Sequence, residues 1–356
     1  MEEREVKSAY GKCSACGGNL EFCPSTQDLI CVKCEHHYEI VNSAKVIAHD
    51  LLDAEIEGNP KDNEFALQNN TFKCSNCGAK VFLDKLELSK VCPYCGTALV
   101  IDNSMIGTMP DAVIPFAFDE QEAAEKFATC VRKRFFAPRK FKRNMPENKI
   151  KGVYIPAFAF DTKTESVYDG QLYEDEDETD SEGHTHTNRH YFHISGRHRR
   201  NFNDVIVECS SKITQNEIDG VLPYDYDGKK SYKNEYILGY SVERYNKSVK
   251  DSIPTYKQIV EHSIRNQILS KYHYDGVSYL NVKTDYLDEK YRYYILPMYR
   301  FDYEYKRKKY VTYMNGQTGR VDNNIPKSGW KIFFTIILPI ILVVGIVVLI
   351  SILSGN

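Results

Sequence analysis

Eight of the eleven cysteines form four C-x2-C pairs near the start of the chain. Two residues between cysteines let both sulfur atoms point to one ion, and a short hairpin brings a second pair opposite the first. Fourteen residues separate the two pairs of each set, and each cysteine of the first set recurs 61 positions later. The spacing therefore predicts a duplicated zinc ribbon, with two metal sites made by Cys13, Cys16, Cys31 and Cys34 and by Cys74, Cys77, Cys92 and Cys95.

The residue after the second cysteine of a pair needs a left-handed backbone, which glycine adopts without strain. Gly17, Gly78 and Gly96 occupy this position in three of the four pairs. Glu35 occupies it in the fourth, which predicts a weaker turn without the loss of a ligand.

The four pairs favour metal binding over ordinary reduced thiols, redox dithiols or disulfides. A ribbon has almost no apolar core, and a structural zinc ion supplies roughly 10–16 kcal/mol of binding energy that is also folding energy. Disulfides are disfavoured in a reducing compartment, which is where the end of the chain places this region. We therefore expect two Zn²⁺ ions, and iron in the same sulfur geometry is the alternative that spacing leaves open.

The end of the chain predicts a membrane helix. Residues 332–353 include no charged residue, and 22 residues at 1.5 Å each span a bilayer core of about 30 Å. Arg320, Lys327 and Lys331 precede this stretch, and Trp330 lies at its entrance. The positive-inside rule predicts a tail-anchored, single-pass protein of the cell membrane with its N-terminal region in the cytoplasm. Residues 1–12 lack the apolar run of a signal peptide.

The 356 residues divide into five predicted segments. The first three are ribbon 1 (residues 10–42), a spacer (43–70) with a short helix starting at Ser43 and ending near residue 57, and ribbon 2 (71–102). Residues 111–324 are rich in Tyr and Phe, with strand-like runs and at least two helical patterns. We predict an α+β fold for this region, followed by the membrane helix.

The α+β region has a possible internal repeat. Strand 112–118, a helix from Asp119 to about residue 136 and extended chain over 152–167 resemble a second series. That series is extended chain over 236–242, a helix over 254–272 and strands over 277–321. The residues PAFAFD (156–161) match PMYRFD (297–302). Two related strand-helix-strand-strand units would explain the match, and chance convergence of two aromatic strands remains the alternative.

Residues 174–182 hold seven acidic residues in nine, and His184, His186, His190, His193 and His198 follow. Imidazoles two apart on a strand share a face, which could make a further metal site. The irregular spacing favours a solvated hairpin loop instead.

Residues 132–143 hold seven basic residues, interleaved with Phe135, Phe136 and Phe141. This pattern fits a helix end with phenylalanines in the core, contact with anionic lipid, or nucleic-acid binding, in that order of preference. Nucleic acid ranks last because the formal net charge is -3.

No signature of an enzyme is found. The chain lacks the G-x4-G-K-[ST], H-E-x-x-H and G-x-S-x-G motifs, and nothing nominates a catalytic residue or a small-molecule substrate. Cys23, Cys130 and Cys209 have no C-x2-C partner and are predicted to be buried small apolar residues.

The tandem ribbons, the strand GVYIP (152–156), the turn MNGQTG (314–319) and the C-terminal apolar segment resemble one family along nearly the whole chain. It is that of the bacterial membrane-anchored TFIIB-type zinc-ribbon proteins, YdjG-like and associated with phage-shock protein A. The resemblance implies two zinc ions on the eight cysteines, a role in a membrane-stress complex and no established catalysis.

Together these observations predict a non-enzymatic, tail-anchored adaptor that binds a protein partner such as a phage-shock-protein-A-like protein. The alternative functions are a membrane-tethered nucleic-acid-binding regulator and an iron redox protein.

Overall fold

The computed structural model describes residues 11–42, 44–55, 71–74, 77–82, 87–95, 98–100, 109–143, 150–179 and 185–354. Its strands are β1 (Leu20–Cys23), β2 (Asp28–Cys31), β3 (His37–Tyr38), β4 (His49–Asp50), β5 (Thr71–Lys73), β6 (Lys80–Phe82), β7 (Glu87–Val91), β8 (Ala98–Val100), β9 (Ala112–Val113), β10 (Ile150–Thr179), β11 (Thr185–Glu208), β12 (Lys230–Ser231), β13 (Ser241–Glu243), β14 (Gly276–Tyr305) and β15 (Lys308–Asn315). Its α-helices are α1 (Glu120–Lys133), α2 (Arg139–Arg143), α3 (Gln215–Val221), α4 (Val249–Leu269) and α5 (Gly329–Ser354). The predicted α+β class is confirmed.

A mixed sheet of ten strands lies at the centre of the molecule. Its main path runs β12-β9-β14-β10-β13-β7-β8, while β11 pairs with β10, and both β15 and β4 pair with β14. The antiparallel pair of β10 and β14 is the longest contact, running from Ile150 opposite Phe301 to Tyr173 opposite Gly276. Every other strand of this sheet attaches to that pair directly or through one or two intermediates.

The core of the sheet is buried on both faces. Residues 153–160 of β10 are all buried. Alternate side chains point to opposite faces, so Tyr154 and Phe158 pack in the layer that includes α1 and α4. Ile155 packs on the other side with Ile218 and Val221 of α3. Burial on both faces explains why this strand is an almost continuous apolar run in the sequence.

The two predicted units are present, and their strands are exchanged. The order β9-α1-β10-β11 recurs as β13-α4-β14-β15. Val113 of β9 pairs with Ile295 of β14, and Val242 of β13 pairs with Tyr154 of β10, both in parallel. Val242 follows Val113 by 129 positions, and Ile295 follows Tyr154 by 141. The first strand of each unit therefore completes the sheet of the other, about a pseudo-twofold axis between β10 and β14.

Helices α1 and α4 also occupy equivalent positions in the two units. Asp119 caps α1 by accepting from the Glu122 N–H at 2.8 Å, and Ser248, 129 positions later, caps α4 by accepting from the Asp251 N–H at 3.1 Å. Both caps have an extended backbone, as N-cap residues do. The helices thus begin at equivalent positions.

Equivalent aromatic rings hold the helices to the sheet. Phe127 of α1 stacks on Phe301 with a centroid separation of 4.0 Å, and Tyr256 of α4 stacks on Phe160 at 4.6 Å. Phe160 and Phe301 occupy matching positions in the repeated PAFAFD and PMYRFD motifs. The short sequence match therefore marks the site where each helix docks.

Beyond the core, β10, β11 and β14 continue as a three-stranded arm. Thirty residues of β10 extend over about 100 Å. Where the arm leaves the core, Asp204 and Asp288 have positive φ values of 51° and 52°, and the register shifts beside Asp161. Such bulges bend and twist a ribbon. Arg292 lies in this bend, 2.7 Å from Asp161 and 3.7 Å from Asp204, so the two carboxylates share one cation.

Some local predictions were wrong. The segment predicted as extended over 236–242 starts in a 3₁₀ turn (Asn234–Ile237), and only its last two residues lie in β13. In the spacer, the described residues 44–55 contain β4 and a 3₁₀ turn (Asp53–Glu55) rather than a helix; Ser43 and residues 56–70 lie outside the described part. The acidic and histidine-rich segments form a largely exposed hairpin, as predicted, but their described residues (174–179 and 185–198) are paired strands rather than a loop, with Glu174 opposite His190. Charges of opposite sign on facing strands stabilise the pairing, which composition alone does not reveal.

We expect Phe127→Ala and Tyr256→Ala to destabilise the full-length chain to a similar extent, because each removes the ring that docks its helix. The free energy of unfolding should fall by about 3–5 kcal/mol for each. Glu125→Ala, an exposed position on α1, is the control and should change it by less than about 0.5 kcal/mol. Urea unfolding in mild detergent, followed by circular dichroism, measures this. Equal stability of the Phe127 variant and the control would contradict the docking role.

Candidate metal centres

The first cysteine quartet lies at one end of the small β1-β2-β3 sheet. Cys13 and Cys16 precede β1, Cys31 ends β2, and Cys34 lies in the following turn. The Sγ atom of Cys16 lies 3.5 Å from that of Cys31 and 3.3 Å from that of Cys34. The Sγ atoms of Cys13 and Cys34 are 3.6 Å apart. One hairpin therefore brings four sulfur atoms together.

The second quartet repeats this arrangement. Cys74 and Cys77 flank the turn after β5, and Cys92 and Cys95 flank the turn after β7. The Sγ atoms are 3.6 Å apart for Cys74 and Cys95 and 3.9 Å apart for Cys77 and Cys92. The eight predicted ligand residues thus form two groups in space, as the spacing indicates.

Both quartets have the dimensions of a tetrahedral zinc site. With Zn–S bonds of about 2.3 Å, the sulfur atoms of a tetrahedral site lie about 3.8 Å apart. Within each group all four sulfur atoms lie within 4.8 Å of one another, and all are free thiols. Each quartet could therefore hold one zinc ion. A bound ion would crosslink its two turns and supply folding energy that the small ribbon core lacks.

The turns at the ligands share one hydrogen-bond pattern. The N–H of Gly17 donates to the Cys13 carbonyl at 2.8 Å, and the N–H of Glu35 donates to the Cys31 carbonyl at 2.9 Å. Glu35 has a φ of 58°, close to the 71° of Gly17. The turn at Glu35 therefore has the same shape as the turn at Gly17, but a residue with a side chain adopts its left-handed backbone under strain. Gly78 repeats the glycine version, and Gly96 lies outside the described residues.

Tyr38 supports the first site, and the cysteine pattern does not reveal it. Its hydroxyl lies 3.1 Å from Cys13 Sγ, and this hydrogen bond lowers the pKa of the Cys13 thiol to about 6. The backbone N–H of His36 also favours the thiolate of Cys34, but the crowding of neighbouring sulfur atoms raises the pKa of Cys34 to about 12. The only sequence signal for Tyr38 is its position on the strand that follows the last ligand.

Gly18 is a second residue that spacing alone does not identify. A Cβ atom at this position would lie 2.9 Å from Cys31 Sγ and 3.3 Å from Cys16 Sγ. Any larger side chain would therefore push into the sulfur cluster.

Both ribbons are attached to the α+β domain. The Phe22 N–H of ribbon 1 donates to the Leu238 carbonyl at 3.0 Å, and Gln27 Nε2 donates to the Phe116 carbonyl at 2.8 Å. In ribbon 2, Ser89 of β7 pairs with Val242 of β13. The metal centres are consequently built onto the α+β domain through backbone hydrogen bonds.

The histidine-rich strand makes ion pairs along its length. His193 Nε2 lies 2.9 Å from Asp169, and Arg189 Nε lies 2.7 Å from Asp175, which lowers the pKa of that carboxyl. Within the described residues, the groups that could hold a metal ion are the two cysteine quartets. The predicted His184 lies outside those residues.

The three remaining cysteines differ from one another. Cys209 is fully buried, and burial raises the pKa of its thiol, as predicted for a small apolar residue. Cys23 and Cys130 are only partly buried, so the prediction holds for one of three.

Helix α5 is a candidate membrane span. Its stretch Gly329–Val348 has a mean hydropathy of 2.8, and none of it is buried against the rest of the protein. It is the one helix in the described ranges that is long and apolar enough to cross a bilayer. This finding is consistent with a single-pass membrane protein.

We expect Tyr38→Phe to weaken zinc binding at the first site only. Loss of a hydrogen bond to a ligand typically lowers metal affinity by about 10- to 100-fold. The control is Tyr94→Phe, which removes an exposed hydroxyl in the second ribbon. Stepwise zinc transfer to a colorimetric chelator separates the two ions. If both ions of the Tyr38 variant left as in the unaltered chain, the hydroxyl would have no supporting role.

Glu35→Gly should strengthen the first ribbon, because glycine adopts a φ of 58° without the strain of about 1 kcal/mol that a side chain imposes. Glu35→Ala is the matched control, since alanine keeps that strain. The effect is measured as the urea concentration at which the zinc ion of ribbon 1 is released. An equal shift for both variants would assign it to the lost carboxylate instead.

The chain is similar to Uncharacterized protein YdjG of Bacillus subtilis (strain 168). The two are 28% identical over 247 residues, which are 67% of this chain and 70% of that protein. No protein-family model matches the chain, and no solved structure matches it. The similarity supports the YdjG-like resemblance, and the two cysteine quartets with one apolar C-terminal helix fit a zinc-binding, membrane-anchored protein.

Proposed function

We propose that the chain is a non-enzymatic adaptor of the cell membrane, whose zinc ribbons and α+β domain bind a protein partner on the cytoplasmic side. A phage-shock-protein-A-like membrane-stress protein is the partner that the family resemblance suggests. One observation supports the proposal most: each ribbon is attached to the α+β domain and has an apolar side chain exposed on its second metal-binding turn.

The exposed residues lie at corresponding turns of the duplicated ribbons. Val32 lies between Cys31 and Cys34 with 55% of its surface exposed, and Tyr94 lies between Cys92 and Cys95 with 71% exposed. A turn held by a metal ion is rigid before binding, so an apolar residue on it loses little conformational entropy in a complex. Such preorganised anchors are typical of protein interfaces.

The arm offers the α+β domain a second surface for a partner. One face of the arm is covered by α4, and just after that helix the Tyr272 hydroxyl lies 2.8 Å from the Tyr168 hydroxyl. On the opposite face Val167 is 58% exposed, beside Arg197 on β11 and Lys283 on β14. This face is mostly charged with isolated apolar residues, which suits a polar, reversible protein contact.

The proposal that the folded domain lies on the cytoplasmic side is inferred from the basic residues beside α5. Lys327 and Lys331 lie at the start of α5, and cytoplasmic flanks of membrane helices carry an excess of such residues. The proposal that the chain is not an enzyme rests on the absence of the commonest catalytic motifs from its sequence.

Substitution of the exposed ribbon residues tests the adaptor role. We expect Val32→Asp with Tyr94→Asp to reduce recovery of the partner from detergent extracts at least tenfold, because two charges would be buried at the interface. Leu52→Asp, an exposed apolar position in the spacer outside both proposed surfaces, is the matched control. All variants should keep two zinc ions per chain, which shows that the ribbons are folded.

Replacement of all eight cysteines should abolish recovery as well. An unchanged set of co-purifying proteins after either change would remove the ribbons as the docking surface. Recovery that disappears after nuclease treatment would instead support a nucleic-acid-binding regulator.

A further inference from the structure

The basic segment at the end of α1 meets the membrane helix. Lys331 Nζ of α5 donates to the carbonyls of Phe135 at 2.7 Å and Ala137 at 3.0 Å. The Ser328 N–H, just before α5, donates to the Phe136 carbonyl at 2.8 Å. These three hydrogen bonds fix the corner between α1 and α2 against the first turn of α5.

A groove of about 720 Å³ lies at this junction. Phe135, Trp330, Phe334 and Leu338 form most of its wall, and each of these side chains is at least half exposed. Leu338 follows Lys331 by seven residues, which places it about 10 Å further along α5. The wall therefore runs from the membrane entrance toward the bilayer interior.

The rim of the groove is positively charged. Arg139, Lys140 and Lys331 line it. No ion pair found in the described ranges includes any of these three cations, whereas other surface cations, such as Arg199 with Glu165, do have carboxylate partners. An anion at this rim would be attracted by cations that no described carboxylate neutralises.

We propose that this groove binds one anionic phospholipid of the leaflet that faces the folded domain. Its headgroup phosphate would lie between Arg139 and Lys140, and an acyl chain would lie along Phe334 and Leu338. The order of charges and apolar residues along the groove matches the order of phosphate and chain in a lipid. A zwitterionic lipid would bring its own ammonium group to the cationic rim and bind less tightly.

The geometry favours lipid over nucleic acid. A nucleic acid could contact the same cations. It has no acyl chain, however, to pack against the apolar wall, which lies on α5 inside the bilayer. The proposal depends on α5 lying in a membrane and not on any protein partner, so it can fail while the adaptor role stands, and the reverse.

Native mass spectrometry of the full-length chain in mild detergent tests the proposal, with equal amounts of phosphatidylglycerol and phosphatidylcholine added. We expect one phosphatidylglycerol molecule to stay bound. Arg139→Gln with Lys140→Gln should lower its affinity about 30-fold, because each cation near an anionic surface contributes about fivefold. Arg197→Gln with Arg199→Gln removes the same charge from the arm and should change nothing. Glycerol 3-phosphate, which has no acyl chain, should not compete.

Three results would overturn the proposal. They are equal retention of the two lipids, equal loss in both double variants, and competition by glycerol 3-phosphate at the concentration of the lipid, which would indicate a site for free phosphate. Displacement of the lipid by a single-stranded DNA oligonucleotide, lost in the Arg139/Lys140 variant, would assign the groove to nucleic acid. Zinc content and the urea midpoint verify that each variant is folded.

Discussion

The antiparallel pairing of β10 with β14 is the contact on which the other parts of the molecule depend. These two strands carry the rings that dock α1 and α4, and they receive β9 and β13 at their outer edges. A shift of one residue between them would turn every buried aromatic side chain to the wrong face. The pairing also positions both metal centres, because β13 receives β7 of ribbon 2 and β14 receives β4, which follows ribbon 1.

Two different forces hold the molecule together. The sheet and its helices rely on burial of aromatic rings such as Phe160 and Tyr299. Ribbon 2 buries few apolar residues of its own, and each ribbon gathers four sulfur atoms where a zinc ion could bind and supply folding energy. The hydrogen bonds of Phe22 and Gln27 join ribbon 1 to the Leu238 and Phe116 carbonyls beside the sheet, so a metal ion bound in the ribbon would order a unit that is attached to the domain.

Elements that depend on local chemistry could be predicted from the sequence. The cysteine spacing, the cap at Asp119 and the uncharged C-terminal segment each carry their own signal, and the structure agrees with each. The PAFAFD and PMYRFD match predicted the repeat because those positions must fit the same packing against a helix. The glutamate at position 35 likewise marked the turn whose backbone is strained.

The remaining features depend on contacts between distant segments. A strand as short as β4 has no periodicity, so only its partner shows that it is a strand. The tip of the arm was predicted to be a solvated hairpin loop because its acidic residues and histidines have no regular spacing, and the ion pairs between facing strands become visible only in the register. The role of Tyr38 also arises from the folded hairpin, since its hydroxyl reaches a cysteine 25 positions earlier.

The exchange of first strands between the two units has a consequence for biosynthesis. Val113 cannot find its partner until Ile295 has been made, so the first half of the domain waits for almost all of the second. The last strand, β15, ends only fourteen residues before α5 begins. Closure of the sheet and delivery of α5 to the membrane must then occur close together in time on the ribosome. Chaperones that shield unpaired strand edges during translation would matter more for this chain than for one whose halves fold in turn.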